Sequence, residues 1–242
     1  MQFTYSAYRE LLKQLQDHGY DFSTYHNYEK SDRCVILRHD IDNCIEAAIL
    51  MGRIEAECCA PSTFFVLLTS DFYNPASQKS LELLRQLQDM GHEIGLHFDE
   101  VAYGDTDIPV EMLIRREAEI LSDILGTPVT AVSMHRPSKK TLESDLQIPG
   151  LVNSYSKTFF RDFKYLSDSR CRWREPVMDI VQSEENARLH ILTHAIWYHN
   201  EAQSIEDTVK NFILSANRER YMQMMNNITD LNSIISEGIL SW

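Results

Sequence analysis

CVILRHDIDNCIEAAILMGRIEAECCAPSTFFVLL, residues 34–68, decides the fold class. It opens with an apolar run, Cys34, Val35, Ile36 and Leu37, at the start of the first strand, Cys34 to Asp40. Asn43 can cap a helix reaching about Cys58, and Pro61 then resets the chain for STFFVLL, whose β-branched and aromatic content predicts a buried strand. Strand, helix and strand in this order make a βαβ unit, and such units build parallel sheets.

The alternation continues outward from that unit. A helix over 77–90 is stopped by Gly91 and followed by the strand HEIGLHF (92–98). A helix over 110–125, stopped by Gly126 and Pro128, leads to VTAVSMH (129–135). Shorter strands are expected at LVNSYS (151–156), KYLSD (164–168) and ARLHILTHA (187–195). On the other side, residues 5–17 carry Tyr8, Leu11, Leu12 and Leu15 near helical spacing, and a polar link joins them to the strand at Cys34. A polar tail from Ser204 to about Glu237 is read as helix. Seven parallel strands alternating with helices predict an α/β protein whose sheet curls into a barrel-like form within one domain over 1–242.

Composition narrows the function classes. With 242 residues and 43% hydrophobic content the chain can bury a large core. Its 23 Lys+Arg against 36 Asp+Glu leave a formal charge of −13, which opposes binding to nucleic acid or anionic membranes. Cys34, Cys44, Cys58, Cys59 and Cys171 make an odd set without a CxxC, so neither a disulfide framework nor a zinc ribbon is expected. No signal peptide or apolar span of about 18 residues is visible, and a cytoplasmic protein is the expectation.

Four of the strands end in metal-capable or acid/base side chains: Asp40 and Asp42, His97, His135 and His194. The carboxyl ends of parallel strands share one rim, so these residues are expected to meet there. Asp40 and Asp42 lie two apart and face the same way along a strand, with His39 facing the other. Two such carboxylates call for a cation or a shared proton. Capping is a competing use for Asp42 beside Asn43, but it does not account for Asp40. Imidazole at His97 and His135 suits zinc or a similar ion, Asp99 can ligate or support a ring, and Arg136 can hold Asp40 as a carboxylate. His190 lies about 13 Å along the strand from His194, too far to share an ion with it. Of the aromatics near the rim, Trp173 and Trp197 are the candidates for stacking on a sugar ring.

These segments, in this order, resemble the polysaccharide deacetylase superfamily, carbohydrate esterases of family four. RHDID (38–42) stands where that family has its paired-Asp motif, GHEIGLHFD (91–99) is close to its GHEIG-x-H segment, and HRPS (135–138) matches its Arg-containing motif. LTHAIW (192–197) matches the motif carrying the catalytic His, and DSRCRWREP (168–176) weakly resembles the remaining one. The resemblance spans about 31–200, leaving a helical extension over 204–242. It implies a distorted seven-stranded (β/α) barrel and a metal-dependent hydrolase, with zinc the expected ion, that removes an N-acyl, usually N-acetyl, group from an amino sugar. Related divergent members sit among enzymes making bacterial surface polysaccharides, which points to a carbohydrate precursor as substrate. Carried over by motif, Asp40 is the general base, Asp42 and His97 are metal ligands, Arg136 partners Asp40, and His194 is the general acid.

Three departures from the family pattern bear on the site. Ile41 separates the paired Asp residues. Val101 occupies the position of the family's second ligand His, so the third ligand falls to His135, with Asp99 and His194 as alternatives. Arg172 stands where an Asp would orient the catalytic His, and Asp168 or a water is the substitute. The competing readings are a metal-dependent amidohydrolase acting on a small non-sugar C–N substrate, and a non-catalytic carbohydrate-binding relative.

Overall fold

The computed structural model describes residues 1–235. Its first compact unit, Met1–Glu201, holds the sheet. The elements run α1 (Tyr5–Asp17), β1 (Asp21–Ser23), β2 (Cys34–Ile41), α2 (Ile45–Glu57), β3 (Thr63–Leu67), α3 (Gln78–Asp89) and β4 (Glu93–Phe98). They continue with α4 (Val110–Leu125), β5 (Ala131–Met134), α5 (Lys139–Glu143), β6 (Val152–Asn153), β7 (Lys164–Ser167), α6 (Val177–Ser183) and β8 (Arg188–Thr193).

All pairings between these strands are parallel, in the order β6-β5-β4-β3-β2-β8-β7. This is the α/β, seven-strand ladder expected from the alternation, and its end strands β6 and β7 are not paired with each other. An eighth strand is an addition. The segment read as a polar link contains β1, which pairs with Cys34–Ile36 on the edge of β2 that β3 takes over from Arg38 onward. The helices α5 and α6 are further additions, and the strand expected over 151–156 shrinks to Val152–Asn153.

The central strands β2 and β3 are buried at every position, Arg38, His39 and Asp40 of β2 included. The α1 stripe of Tyr8, Leu11, Leu12 and Leu15 is buried as its spacing predicts. Each of these leucines is 0% exposed, a contribution of roughly 1.5–3 kcal/mol apiece. Strands β2 and β4 are separated by β3, about 9.6 Å of sheet at ~4.8 Å per strand. Yet side chains from β4 and the end of β2 touch, because the sheet curls and its concave face brings them together.

The second compact unit begins at Ala202 and contains α7 (Ile205–Asn227) and α8 (Leu231–Ile234). Ser204 caps α7 by accepting from the Asp207 N–H, and Tyr221 donates to Asn232. The part of the predicted helical tail at 236–242 lies outside the described residues.

Candidate metal and acid–base site

Strand β2 delivers three site residues by its period of two. Arg38 and Asp40 face the concave side, and Asp42 follows one residue past the strand end on the same side. His39 faces away, where its ring meets the buried Glu55 of α2 at 2.7 Å and Thr193 of β8 at 2.7 Å. Tyr73 locks the turn after β2: its hydroxyl donates to the Ile41 carbonyl at 2.6 Å and accepts from the Leu67 N–H.

Asp42, His97 and His135 converge. His97 Nε2 lies 3.1 Å from Asp42 Oδ1 and 3.1 Å from His135 Nδ1, and His135 Nδ1 lies 3.2 Å from Asp42 Oδ1. Three electron-rich atoms this close repel one another unless positive charge sits among them. The donor set of two imidazole nitrogens and one carboxylate oxygen is a zinc-type set. Tetrahedral ligands about 2.0–2.1 Å from zinc would stand roughly 3.4 Å apart, close to the observed triangle. The residues present therefore fit a divalent ion. Burial opposes ionisation of Asp42, but the adjoining His135 and His97 hold its carboxyl well below the usual range.

Asp40 sits beside this triangle, with Oδ2 3.6 Å from His97 Nε2. Its cation is not Arg136. Arg38 Nε and Nη2 donate to the two Asp40 oxygens at 2.8 and 2.7 Å, a bidentate pair with both side chains almost fully buried. Burial pushes the Asp40 pKa up, yet Arg38 and His97 outweigh it and hold the carboxyl below its ordinary value. Arg136 instead pairs with Asp99 at the exposed rim, its side chain 56% exposed. The expected Arg136–Asp40 pair is corrected accordingly: Arg136 follows β5, where consecutive residues point opposite ways, and His135 takes the inward direction.

His194 completes the rim. Its Nε2 lies 3.8 Å from Asp42 Oδ2, and its Nδ1 lies 2.6 Å from Asp168 Oδ1. Asp168, 0% exposed, also accepts from the His194 backbone N–H at 3.0 Å. Burial favours a neutral ring, but Asp168, helped by Asp40 and Asp42, raises the His194 pKa to about 9. Arg172 is exposed, so Asp168 orients His194, as one of the two sequence alternatives had it.

Val101 is 55% exposed in the turn after β4, and His135 rather than Asp99 joins Asp42 and His97. His190 packs in the sheet interior, bonded to Tyr25 at 2.7 Å, with burial pushing its pKa down to about 3. Trp173 and Trp197 are half-buried against the core, and their indole N–H groups find no acceptor among the described residues. Phe98 and Tyr198, two other aromatics near the strand ends, are buried.

Sequence reasoning missed Arg38 and Ser133. The signal for Arg38 was available: it stands two residues before Asp40 and so on the same face of the strand. Ser133 is paired in register with His97, a relation only the sheet reveals.

No protein-family model matches the chain, and no curated protein matches it. Among solved structures it is similar to a family 4 carbohydrate esterase from Bacillus anthracis, with 17% identity and a TM-score of 0.44 over 86% of this chain and 84% of that one. A Streptococcus pyogenes deacetylase, PplD, solved with acetate, shows 13% identity and a TM-score of 0.44 over 78% and 80%. A family four pseudoenzyme from Bacillus anthracis, BA3943, shows 11% identity and a TM-score of 0.45 over 78% of this chain, which spans only 62% of that one. At such identities and TM-scores the likeness carries no weight for activity, and the site rests on this chain's own residues. In its motifs and in its parallel sheet, the chain is similar to the polysaccharide deacetylases.

Proposed function

We propose that this chain is a divergent polysaccharide deacetylase-like hydrolase that removes an N-acyl group, in the first instance N-acetyl, from an amino sugar or carbohydrate precursor. The observation that carries the reading is the triangle of Asp42, His97 and His135, set between a carboxylate held ionised and an imidazole held protonated. Asp42, His97 and His135 would hold a divalent ion, zinc by their chemistry, and such an ion supplies Lewis-acid polarisation of an acyl carbonyl and of water.

The chain's own residues divide the proton work. Asp40, kept as an anion by Arg38, accepts the proton of the attacking water as its oxygen bonds to the acyl carbon. His194, kept protonated by Asp168, delivers a proton to the amine nitrogen as the C–N bond breaks. The products are a carboxylic acid and a free amine, with the proton from water replaced at nitrogen by the one from His194. Carboxylate and imidazole environments pushed in opposite directions are the arrangement that acid–base division requires.

The test pairs metal analysis with hydrolysis. Purified chain incubated with zinc, cobalt or manganese is expected to retain about one ion per chain. It is then expected to release acetate from N-acetylated amino sugars. A chain that retains no ion and releases no acetate would favour a non-catalytic carbohydrate binder, and release only from small non-sugar amides would move the substrate class.

A further inference from the structure

Ser133 lies on β5 directly beside His97 of β4 and is 0% exposed. Its hydroxyl oxygen is 2.6 Å from His97 Nδ1 and 3.4 Å from Asp40 Oδ1. A hydroxyl carries one proton and can accept at its oxygen, whereas an ionised carboxylate only accepts. The Ser133 proton therefore points to Asp40, and the short contact to His97 is one in which the ring Nδ1–H donates. A neutral imidazole has one N–H, so Nε2 is left with its lone pair directed at Asp42 and His135.

We propose that Ser133 is a positioning residue: by accepting from Nδ1 it fixes His97 in the tautomer that presents Nε2 as a metal ligand, and it ties that ligand to the Asp40 carboxylate. This inference rests on the metal-site reading above. The ordering of a ligand imidazole by a partner on its other nitrogen is a general device, and loss of that partner typically costs about 10–100-fold in affinity. Here the partner is a hydroxyl whose own proton is committed to the general base, so Asp40 and His97 are held by one group. With Ser133 removed, the Nδ1–H loses its acceptor in a dry setting, and the ring gains by placing its proton on Nε2 against Asp42.

Nitrogen-15 NMR of the histidine rings in the metal-free chain reads the tautomer directly. His97 is expected to carry its proton on Nδ1 in the wild type and to shift toward Nε2 in Ser133→Ala. Zinc affinity, measured by competition with a chromophoric chelator, is expected to fall by about 10–100-fold in Ser133→Ala and to recover in Ser133→Thr, which restores the hydroxyl. A wild-type His97 protonated on Nε2, or an unchanged tautomer and affinity in Ser133→Ala, would overturn the proposal. Should Ser133→Thr fail to fold, the tautomer of the wild type and of Ser133→Ala decides alone. A wild type that binds no zinc but shows the Nδ1–H tautomer lost in Ser133→Ala would sink the metal reading while leaving the role of Ser133 in place.

Discussion

Asp40 and Asp42 are two residues apart and chemically alike, yet their surroundings give them different work. Asp40 is clamped by Arg38 at two oxygens, leaving little of it free to ligate, whereas Asp42 turns Oδ1 to two imidazoles. On the proposed function, Asp40→Asn is expected to bind added zinc like the wild type and lose roughly 10²-fold or more in turnover, the scale of general-base loss. Asp42→Asn is expected to lose zinc itself; metal content by mass spectrometry beside acetate release separates the two, and swapped phenotypes would exchange the roles. His194 gives a second residue-scale prediction. In Asp168→Asn the largest influence raising its pKa is gone, burial then favours the neutral ring, and the alkaline limb of the rate profile should move down by about 1–3 pH units. The same shift has a stability sign. Because the folded pKa is raised from 6.5 to about 9, the His194–Asp168 pair contributes fully below about pH 6.5 and its contribution is lost as pH rises through about 9. Chemical denaturation at pH 6 and pH 10 should show a smaller difference for Asp168→Asn than for wild type. An alkaline limb unmoved by this substitution would remove Asp168 from the mechanism.

The elements hold these residues through contacts that a one-dimensional pattern does not display. Gly95 in β4 has no side chain because a Cβ there would stand 2.5 Å from the Phe65 ring of β3. Phe65 in turn lies under the Arg38 guanidinium, 5.4 Å from ring centroid to cation, so the glycine keeps room for the residue that supports Arg38. Gly95→Ala should force Phe65 from its rotamer and destabilise the chain by about 1–3 kcal/mol, measured by urea unfolding. An unchanged midpoint would show that Phe65 has space to yield. On the opposite side of β2, Glu55 is fully buried and accepts from Tyr8 of α1 and Ser62 while facing His39, which joins α1, α2 and β2. Burial pushes the Glu55 pKa up, but His39 leads the groups that bring it below the ordinary value. Met51 and Glu55 are four apart on a buried stripe of α2 that is otherwise apolar, where a charge needs a partner, a signal the sequence reading did not use. The helices and long strands were legible because each has a hydrophobic period of its own. The three residues of β1 have none, and they are strand only because β2 presents a free edge beside Cys34–Ile36.

Over the whole molecule, the seven alternating strands and their parallel direction were legible, and parallel alternation places every strand's carboxyl end on one side. Which side chains pair across that rim was not, because it depends on how far the sheet curls. The Arg136–Asp99 and Arg38–Asp40 pairs are the instance: both arginines suit a carboxylate in sequence, and only the curl and the facing of β2 and β5 decide the match. The division of the chain leads to a prediction at this scale. The compact unit Met1–Glu201 contains the eight paired strands of the described residues and every residue placed at the candidate site. Its core, from α1 through β8, is built from Tyr8, Leu11, Val35, Leu37, Phe64, Leu96 and Ile191, all within that unit. A chain ending at Glu201 is thus expected to unfold cooperatively and to bind zinc with the affinity of the full chain. Its far-UV circular dichroism should lose the signal of α7, a helix of 23 residues. Calorimetric titration with zinc and a thermal melt on both chains make the comparison. A shortened chain that fails to fold would show that Ala202–Trp242 supplies part of the core, and one that folds but no longer binds zinc would place a determinant of the site beyond Glu201.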